Sequence, residues 1–252
     1  VCLDRMNAAL AHRGPDDSGV WIEGSAGLAQ RRLSILDTSS AGHQPMLSSD
    51  GQRVLVYNGE LYNFEALRAE LEQHGCSFHT RCDTEVVLEA FCTWGDAALD
   101  RFNGIFALAL YDRAKRRLLL ARDRLGVKPL FWAERGGGVL FASEIKGLLA
   151  HPFVRPRVGK EGLQEVLAVG PSRTPGFGVY EGVSELRPGE CMTVSREGIS
   201  RRLYWKLRSK PHEEGFEDTV RHVRELLSGA IARQLVSDVP LGGFLSGGVD
   251  SS

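Results

Sequence analysis

Cysteines are few and irregularly placed in this sequence. The 252 residues contain five of them, and no two form a C-x-x-C pair, so zinc-ribbon and thioredoxin-like sites have no support. An odd number of cysteines in a chain long enough to bury its own core is typical of reduced thiols in a cytosolic protein. We therefore expect a cytoplasmic protein whose fold does not depend on disulfide bonds.

Long apolar runs and an excess of either charge are also lacking. The longest apolar stretches, such as residues 105–111, fall far short of the roughly 20 residues that a membrane helix needs. Lys and Arg total 31 and Asp and Glu total 32, a formal net charge of -1, which gives no general attraction to nucleic acid or anionic lipid. No basic stretch followed by an apolar core opens the sequence, so no signal peptide is visible. We expect neither a membrane nor a nucleic acid as a partner.

Helix and strand patterns occur in clusters along the chain. Apolar spacing predicts a first helix in the opening segment, with Leu3 on its apolar face, that ends by Gly14, and further helices over 63–75 and 83–94. Short apolar runs with hairpin-length connections predict strands; these lie near 18–36, 54–57, 105–111, 117–122, 129–133, 139–143, 179–183 and 190–194. Such clustering favours an α+β fold, with helical layers on antiparallel sheets, over a regular alternation of parallel units.

The strand at 54–57 is predicted to end at Asn58-Gly59, because this pair tolerates the left-handed backbone of a tight turn. A charged segment at 208–215 contains Pro and Gly with little apolar content, which indicates a linker. An amphipathic helix is predicted after it. We expect a first domain over 1–207 and the beginning of a second domain over 216–252.

The motif SGGVDSS at 246–252 follows a strand-like apolar segment. Glycines let successive backbone N–H groups form a concave nest for phosphate, and the lack of a Lys after the glycines excludes a Walker loop. The motif has the form of the pyrophosphate loop in enzymes that cleave ATP to AMP and pyrophosphate. A purely structural Gly/Ser turn is the alternative.

Taken together, the motifs of the chain resemble those of the glutamine-dependent asparagine synthetases, over nearly its whole length. The motifs that carry the resemblance are, in order, HRGPDDSG (12–19), RRLSILD (31–37), YNGELYN (57–63), DTE (83–85), FNGIFALALYD (102–112), ARDRLGVKPLF (121–131), ASEIKGL (142–148) and SDVPLGGFLSGGVDSS (237–252).

The resemblance implies a class II glutaminase domain with the N-terminal-nucleophile hydrolase fold, a four-layer sandwich of antiparallel sheets and helices. The start of an α/β ATP-pyrophosphatase domain would follow. In this family, glutamine hydrolysis supplies ammonia to an aspartyl-adenylate, which gives asparagine, AMP, pyrophosphate and glutamate. The implied ligands are glutamine, ATP, Mg²⁺ and aspartate, and a homodimer is left open.

The resemblance also implies roles for individual residues. Asn58 and Gly59 match the oxyanion-hole pair, Arg32 matches the residue that holds the glutamine α-carboxylate, and Glu60 and Asp83 match the acids that hold its ammonium. As alternatives, Asn58-Gly59 is a hairpin turn, Asp83 caps a helix, and His12 and Arg13 shape a turn, whereas Arg31 is expected to be solvated. The remaining glutamine-pocket residues would be Leu33, Ser34 and Ile35; the nucleotide would bind Leu245, Ser246, Gly247, Gly248, Asp250 and Ser251, with Asp250 on the metal.

The family pattern breaks at the nucleophile. In the family this is a Cys at the mature N-terminus, whose free α-amine acts as the general base. Cys2 lies instead in the predicted first helix, where ten residues span about 15 Å and leave no room for a strand and a loop before His12. We therefore expect Cys2 to be an ordinary helix residue and the chain to be a fragment of a longer protein, clipped at both ends.

Two other functions stay open at this stage. The fold could serve as a non-hydrolysing scaffold, as in synthetases similar to those that close β-lactam rings, or as an amidotransferase for another acceptor. A complete set of substrate-holding residues favours the glutamine-hydrolysing enzyme, because a scaffold has no need of such a set.

Overall fold

Helices and sheets form four layers in the computed structural model, which describes residues 2–170 and 172–248. One inner layer is a six-stranded antiparallel sheet with the strand order β11-β10-β6-β5-β4-β3. The other inner layer holds the two-stranded sheet β1-β2 and the three-stranded sheet β8-β7-β9. The strands are β1 (Asp17–Glu23), β2 (Ala26–Arg32), β3 (Met46–Leu47), β4 (Arg53–Leu61), β5 (Gly104–Asp112), β6 (Arg117–Arg122), β7 (Phe131–Arg135), β8 (Gly138–Ala142), β9 (Ser184–Glu185), β10 (Glu190–Ser195) and β11 (Gly198–Leu203).

Helices cover the outer faces of the two inner layers. Short 3-10 turns lie at Ala11–Arg13, Ser40–Gly42 and Gly95–Ala97. The α-helices are α1 (Cys2–Ala8), α2 (Phe64–Gln73), α3 (Asp83–Trp94), α4 (Ala98–Arg101), α5 (Ile145–Leu149), α6 (Lys160–Ala168) and α7 (Phe216–Gln234). This arrangement confirms the predicted α+β class.

β4 buries apolar side chains on both of its faces, one against helices and the other against the second sheet layer. Alternate residues of a strand point to opposite sides. Leu55 and Tyr57 therefore pack with α2 and α3, whereas Val54 and Val56 pack with Leu28 of β2 in the second sheet layer. Each fully buried apolar side chain of this kind contributes roughly 1.5–3 kcal/mol.

The prediction that this strand ends in a turn at Asn58-Gly59 is wrong. β4 continues through both residues to Leu61, with Asn58 opposite Ala107 and Gly59 opposite Phe106 of β5. Ladder hydrogen bonds to β5 outweigh the local turn preference of the pair. Glycine is needed here for close approach, since a Cβ at Gly59 would lie 2.2 Å from the carbonyl oxygen of Ile105.

The predicted helices are present, but the capping predicted for α2 differs from the one observed. α2 follows Asn63 and ends before Gly75, which has a left-handed φ of +88°. The Asn63 side chain does not cap α2, because it bonds the Arg101 carbonyl and the Asn103 N–H instead. Helices α5 and α6 were not predicted, and β2 stops at Arg32 rather than running to 36. The strand predicted near 179–183 is absent from those residues, and the short β9 follows them at Ser184–Glu185.

The predicted helix after the charged segment is α7. Many of its apolar side chains stay exposed, and Leu226 and Leu227 are each 60% accessible. Across the described part of the chain, no helix is both long and apolar enough to cross a membrane.

Candidate functional site

A cavity of about 150 Å³ opens beside the end of β4. The end of β2, the loop after it, β4 and the start of α3 form its walls. All of the residues expected to bind glutamine line it except Ser34, whose N–H donates to Asp16 Oδ2 at 2.8 Å. The lining residues are Arg13, Gln30, Arg31, Arg32, Leu33, Ile35, Leu36, Gln44, Tyr57, Asn58, Gly59, Glu60, Asp83, Thr84 and Lys128.

Arg32 is buried at the end of β2, and its guanidinium organises the loop that follows. Its Nη1 donates to the Ser39 carbonyl at 2.9 Å, and its Nη2 donates to the carbonyls of Leu36 at 3.2 Å and Asp37 at 2.6 Å. These three bonds hold the guanidinium in a fixed orientation. Of the five N–H donors of an arginine, the Nε–H and one Nη1–H remain for a ligand.

Asn58 presents a donor without a partner. Its Nδ2 is buried and has no hydrogen-bond acceptor within the described residues, although it lines the cavity. A buried polar donor left unsatisfied costs roughly 1–3 kcal/mol. An acceptor oxygen in the cavity would remove that cost.

Two carboxylates, Glu60 and Asp83, lie on the wall formed by β4 and α3. Asp83 is buried and accepts a hydrogen bond from the Leu61 N–H at 2.9 Å. Burial raises the pKa of Asp83 to about 6, the Leu61 hydrogen bond opposes this increase, and the Glu60 charge adds to it. Burial and the Asp83 charge also raise the pKa of the Tyr57 phenol. A cation in the cavity would favour the ionised form of Asp83.

Arg13 and Arg31 also line the cavity. Arg13 donates to Glu144 Oε1 at 2.8 Å. Burial alone would raise the Glu144 pKa, but hydrogen bonds from Arg13 and Lys146 lower it to about 2. The expectation that Arg31 is solvated is wrong, since it is half-buried and its Nε donates to the Asn7 carbonyl at 3.2 Å.

Several supporting residues were not singled out in the sequence. Gln44 is buried and joins β4 to α3, because its Oε1 accepts from the Tyr57 N–H at 2.6 Å and its Nε2 donates to Thr84 Oγ1 at 3.4 Å. These contacts link residues distant in sequence, and no local pattern indicates them.

Lys128 lines the cavity and lies in a loop that the Asp123 side chain stabilises. The buried Asp123 carboxylate accepts four backbone N–H groups at 2.9–3.2 Å, those of Phe106, Leu125, Val127 and Lys128. In the sequence, Asp123 and Lys128 both belong to the family motif ARDRLGVKPLF (121–131), which by itself indicates no role for either.

None of the five cysteines lines this cavity. Cys2 begins α1, as expected, and its Sγ accepts from Arg5 Nη2 at 3.6 Å. Cys82 precedes Asp83 in sequence, but its side chain is buried against Thr80 Oγ1 at 2.9 Å.

The glycine loop near the end of the chain is exposed. Leu245, Ser246, Gly247 and Gly248 have no regular secondary structure, and Gly247 has a left-handed φ of +75°. Asp250 and Ser251, expected to bind the metal and nucleotide, lie outside the described residues. Within the described ranges, no three His, Cys, Asp or Glu side chains are grouped to hold a metal ion.

Comparison with solved structures bears out the four-layer fold. The chain is similar to the glutamine phosphoribosylpyrophosphate amidotransferase of B. subtilis, with a TM-score of 0.57 and 20% identity over 81% of this chain and 46% of that one. Residues 2–205 match the family model described as a glutamine amidotransferase domain. The chain therefore belongs to the glutamine amidotransferase domain family. Residues 222–252 match the family model described as asparagine synthase.

Curated relatives confirm the resemblance. The chain is 47% identical over 252 residues to asparagine synthetase [glutamine-hydrolyzing] 3 of Bacillus subtilis, and this covers 99% of the chain and 41% of the relative. A putative asparagine synthetase [glutamine-hydrolyzing] 2 of Methanocaldococcus jannaschii is 34% identical over 272 residues, which covers 99% of the chain and 52% of the relative. The chain thus spans only part of the length of these relatives.

Proposed function

We propose that this chain provides the glutamine-hydrolysing part of an asparagine synthetase. The observation that carries the proposal is the Asn58 amide nitrogen, which has no acceptor among the described residues. It lies in one cavity with the Arg32 cation and the carboxylates of Glu60 and Asp83. Glutamine has a carboxylate, an ammonium group and an amide carbonyl. The cavity offers a complementary group to each of the three.

In this arrangement, a free N–H of the Arg32 guanidinium holds the α-carboxylate by a charge-assisted hydrogen bond. Glu60 and Asp83 hold the α-ammonium. The Asn58 amide and the Gly59 N–H then face the side-chain carbonyl of glutamine, where negative charge develops during hydrolysis. Each well-placed donor of this kind stabilises a transition state by about 2.7–4 kcal/mol.

We propose that the nucleophile is a cysteine on a strand outside residues 1–252. Support comes from a second cavity of about 90 Å³, which adjoins Asn58 and lies between β2 and β8. Among the described residues, β2 pairs only with β1, and β8 pairs only with β7, so an edge of each is open. One inserted strand would join the two small sheets and bring its end to Asn58.

The ammonia produced would serve a second domain, which we propose begins at 216 after a first domain over 1–207 and a linker over 208–215. The match of residues 222–252 to the asparagine synthase family supports this division. ATP, when bound, would activate the aspartate carboxylate as an adenylate. The loop from Leu245 to Gly248 suits a phosphate, because a left-handed glycine turns successive N–H groups toward an anion, and Asp250 would hold Mg²⁺.

The test is Asn58→Ala in the full-length protein. The glutamine-dependent rate should fall about 10²–10³-fold, because one oxyanion donor is lost, whereas ammonia-dependent synthesis should be unchanged. Asn103→Ala, at an exposed asparagine outside the cavity, is the matched control and should leave both rates unchanged. Equal loss of both activities would show that Asn58 is structural. A wild-type protein that uses ammonia but not glutamine would favour the non-hydrolysing scaffold.

A further inference from the structure

Asp37 is a junction in the loop that lines the glutamine cavity. It has a left-handed φ of +51°, which is uncommon for a residue other than glycine and requires support from its surroundings. Its carbonyl accepts from Arg32 Nη2 at 2.6 Å, and its carboxylate accepts from the Arg81 N–H at 3.0 Å. Asp37 therefore contacts the guanidinium proposed for the substrate carboxylate and the segment that leads into Asp83.

A third contact to this junction comes from the far end of the chain. Asp238 lies in the segment after α7, and its Oδ2 accepts from the Asp37 N–H at 2.8 Å. The Asp238 N–H in turn donates to the Ile35 carbonyl at 3.0 Å. These two hydrogen bonds run in opposite directions and clip the segment to the loop residues 35–37.

Two further interactions surround Asp238: an exposed ion pair with Arg81, and hydrogen bonds within its own segment. Arg81 Nη2 lies 3.4 Å from Asp238 Oδ2, with the Arg81 side chain 80% exposed, so this pair adds little. The turn beyond Asp238 is held by Ser237, whose Oγ donates to the Val239 carbonyl at 3.0 Å and accepts from its N–H at 3.1 Å. The hydrogen bond to the Asp37 N–H is therefore the main side-chain contribution.

We propose that Asp238 is a positioning residue for the glutamine cavity, and this rests on the proposed function. It fixes Asp37, and Asp37 fixes the Arg32 guanidinium. The same segment continues to the glycine loop at Leu245–Gly248. The clip thus connects the glutamine site along the chain to the segment proposed to hold the nucleotide.

The experiment compares Asp238→Ala and Asp238→Asn in the full-length protein. Loss of the hydrogen bond in Asp238→Ala should raise the KM for glutamine about five- to tenfold, with kcat and the KM for ammonia unchanged. Asp238→Asn keeps an oxygen that accepts from the Asp37 N–H and should restore the KM to within about twofold of wild type, because the exposed ion pair contributes little. Asp238→Ser, whose hydroxyl is too short to reach, should behave as the Ala variant and serves if that variant is unstable.

Asp218→Ala is the matched control, since Asp218 is an exposed aspartate of α7 whose ion pair is with Arg221 on the same helix. It should leave both KM values unchanged. A wild-type KM for glutamine in Asp238→Ala, an equal rise in the KM for ammonia, or an Asn variant as impaired as the Ala variant would each overturn the proposal. If the wild-type protein does not use glutamine, the proposed function itself fails; if it does and the variants match it, only the role of Asp238 fails.

Discussion

Replacing Asp83 with Asn should make the protein more stable while removing its proposed function. The pKa of Asp83 is raised from 3.8 to about 6 by burial. A carboxyl group with a raised pKa in the folded state contributes stability that is fully present below pH 3.8 and lost as the pH rises through 6. Asparagine imitates the protonated form and avoids this loss. Its amide oxygen can still accept from the Leu61 N–H.

The size of the effect follows from the pKa difference. One pKa unit corresponds to 1.36 kcal/mol, so a shift of about two units destabilises the wild-type protein by about 3 kcal/mol at pH 8. The same relation reduces the difference between variant and wild type to about half at pH 5. The substituted protein should therefore gain about 3 kcal/mol at pH 8 and less at lower pH.

Urea denaturation of both proteins between pH 5 and pH 8 measures this difference. The m-values should agree, because the surface exposed on unfolding is unchanged. Asp100→Asn, at an exposed aspartate of α4, is the control and should show no pH-dependent gain. In the full-length protein, Asp83→Asn should lose glutamine use and keep ammonia-dependent synthesis. An Asp83→Asn protein no more stable than wild type at pH 8, or a gain that does not shrink toward pH 5, would refute the reasoning.

Two further substitutions test the walls of the cavity. Gly59→Ala should lower the free energy of unfolding in urea by about 1–3 kcal/mol, because its Cβ would lie 2.2 Å from the Ile105 carbonyl oxygen. Gly229→Ala in exposed α7 is the control and should not lower it. A Gly59→Ala protein as stable as wild type would contradict the close approach. Asp123→Asn should cost about 2–4 kcal/mol by leaving buried N–H groups unpaired and should raise the KM for glutamine by releasing the Lys128 loop; an unchanged midpoint and KM would argue against that role.

Elements near the site could be predicted where one local pattern dominates. The apolar spacing of 83–94 predicts α3 because its inward residues recur along one helix face. The predicted turn at Asn58-Gly59 is wrong because strand pairing with β5 is decided by residues far along the chain. For the same reason, the sequence did not predict the Arg31 contact with Asn7 or the hydrogen bonds by which Gln44 joins β4 to α3. The family motifs implied that Arg32, Asn58 and Asp83 lie in one cavity. The helix and strand periodicity of the sequence did not indicate it.

Asn58 and Asp83 share a physical property that neither shows by its type alone. Each is unfavourable in the fold by itself, the first through a buried amide nitrogen with no acceptor in the described part of the chain and the second through a costly buried charge. A ligand with a carbonyl oxygen and an ammonium group would relieve both at once, and it would stabilise the fold by mass action as it binds. Substitutions that relieve the same costs without a ligand, such as Asp83→Asn, should therefore increase stability at the expense of binding.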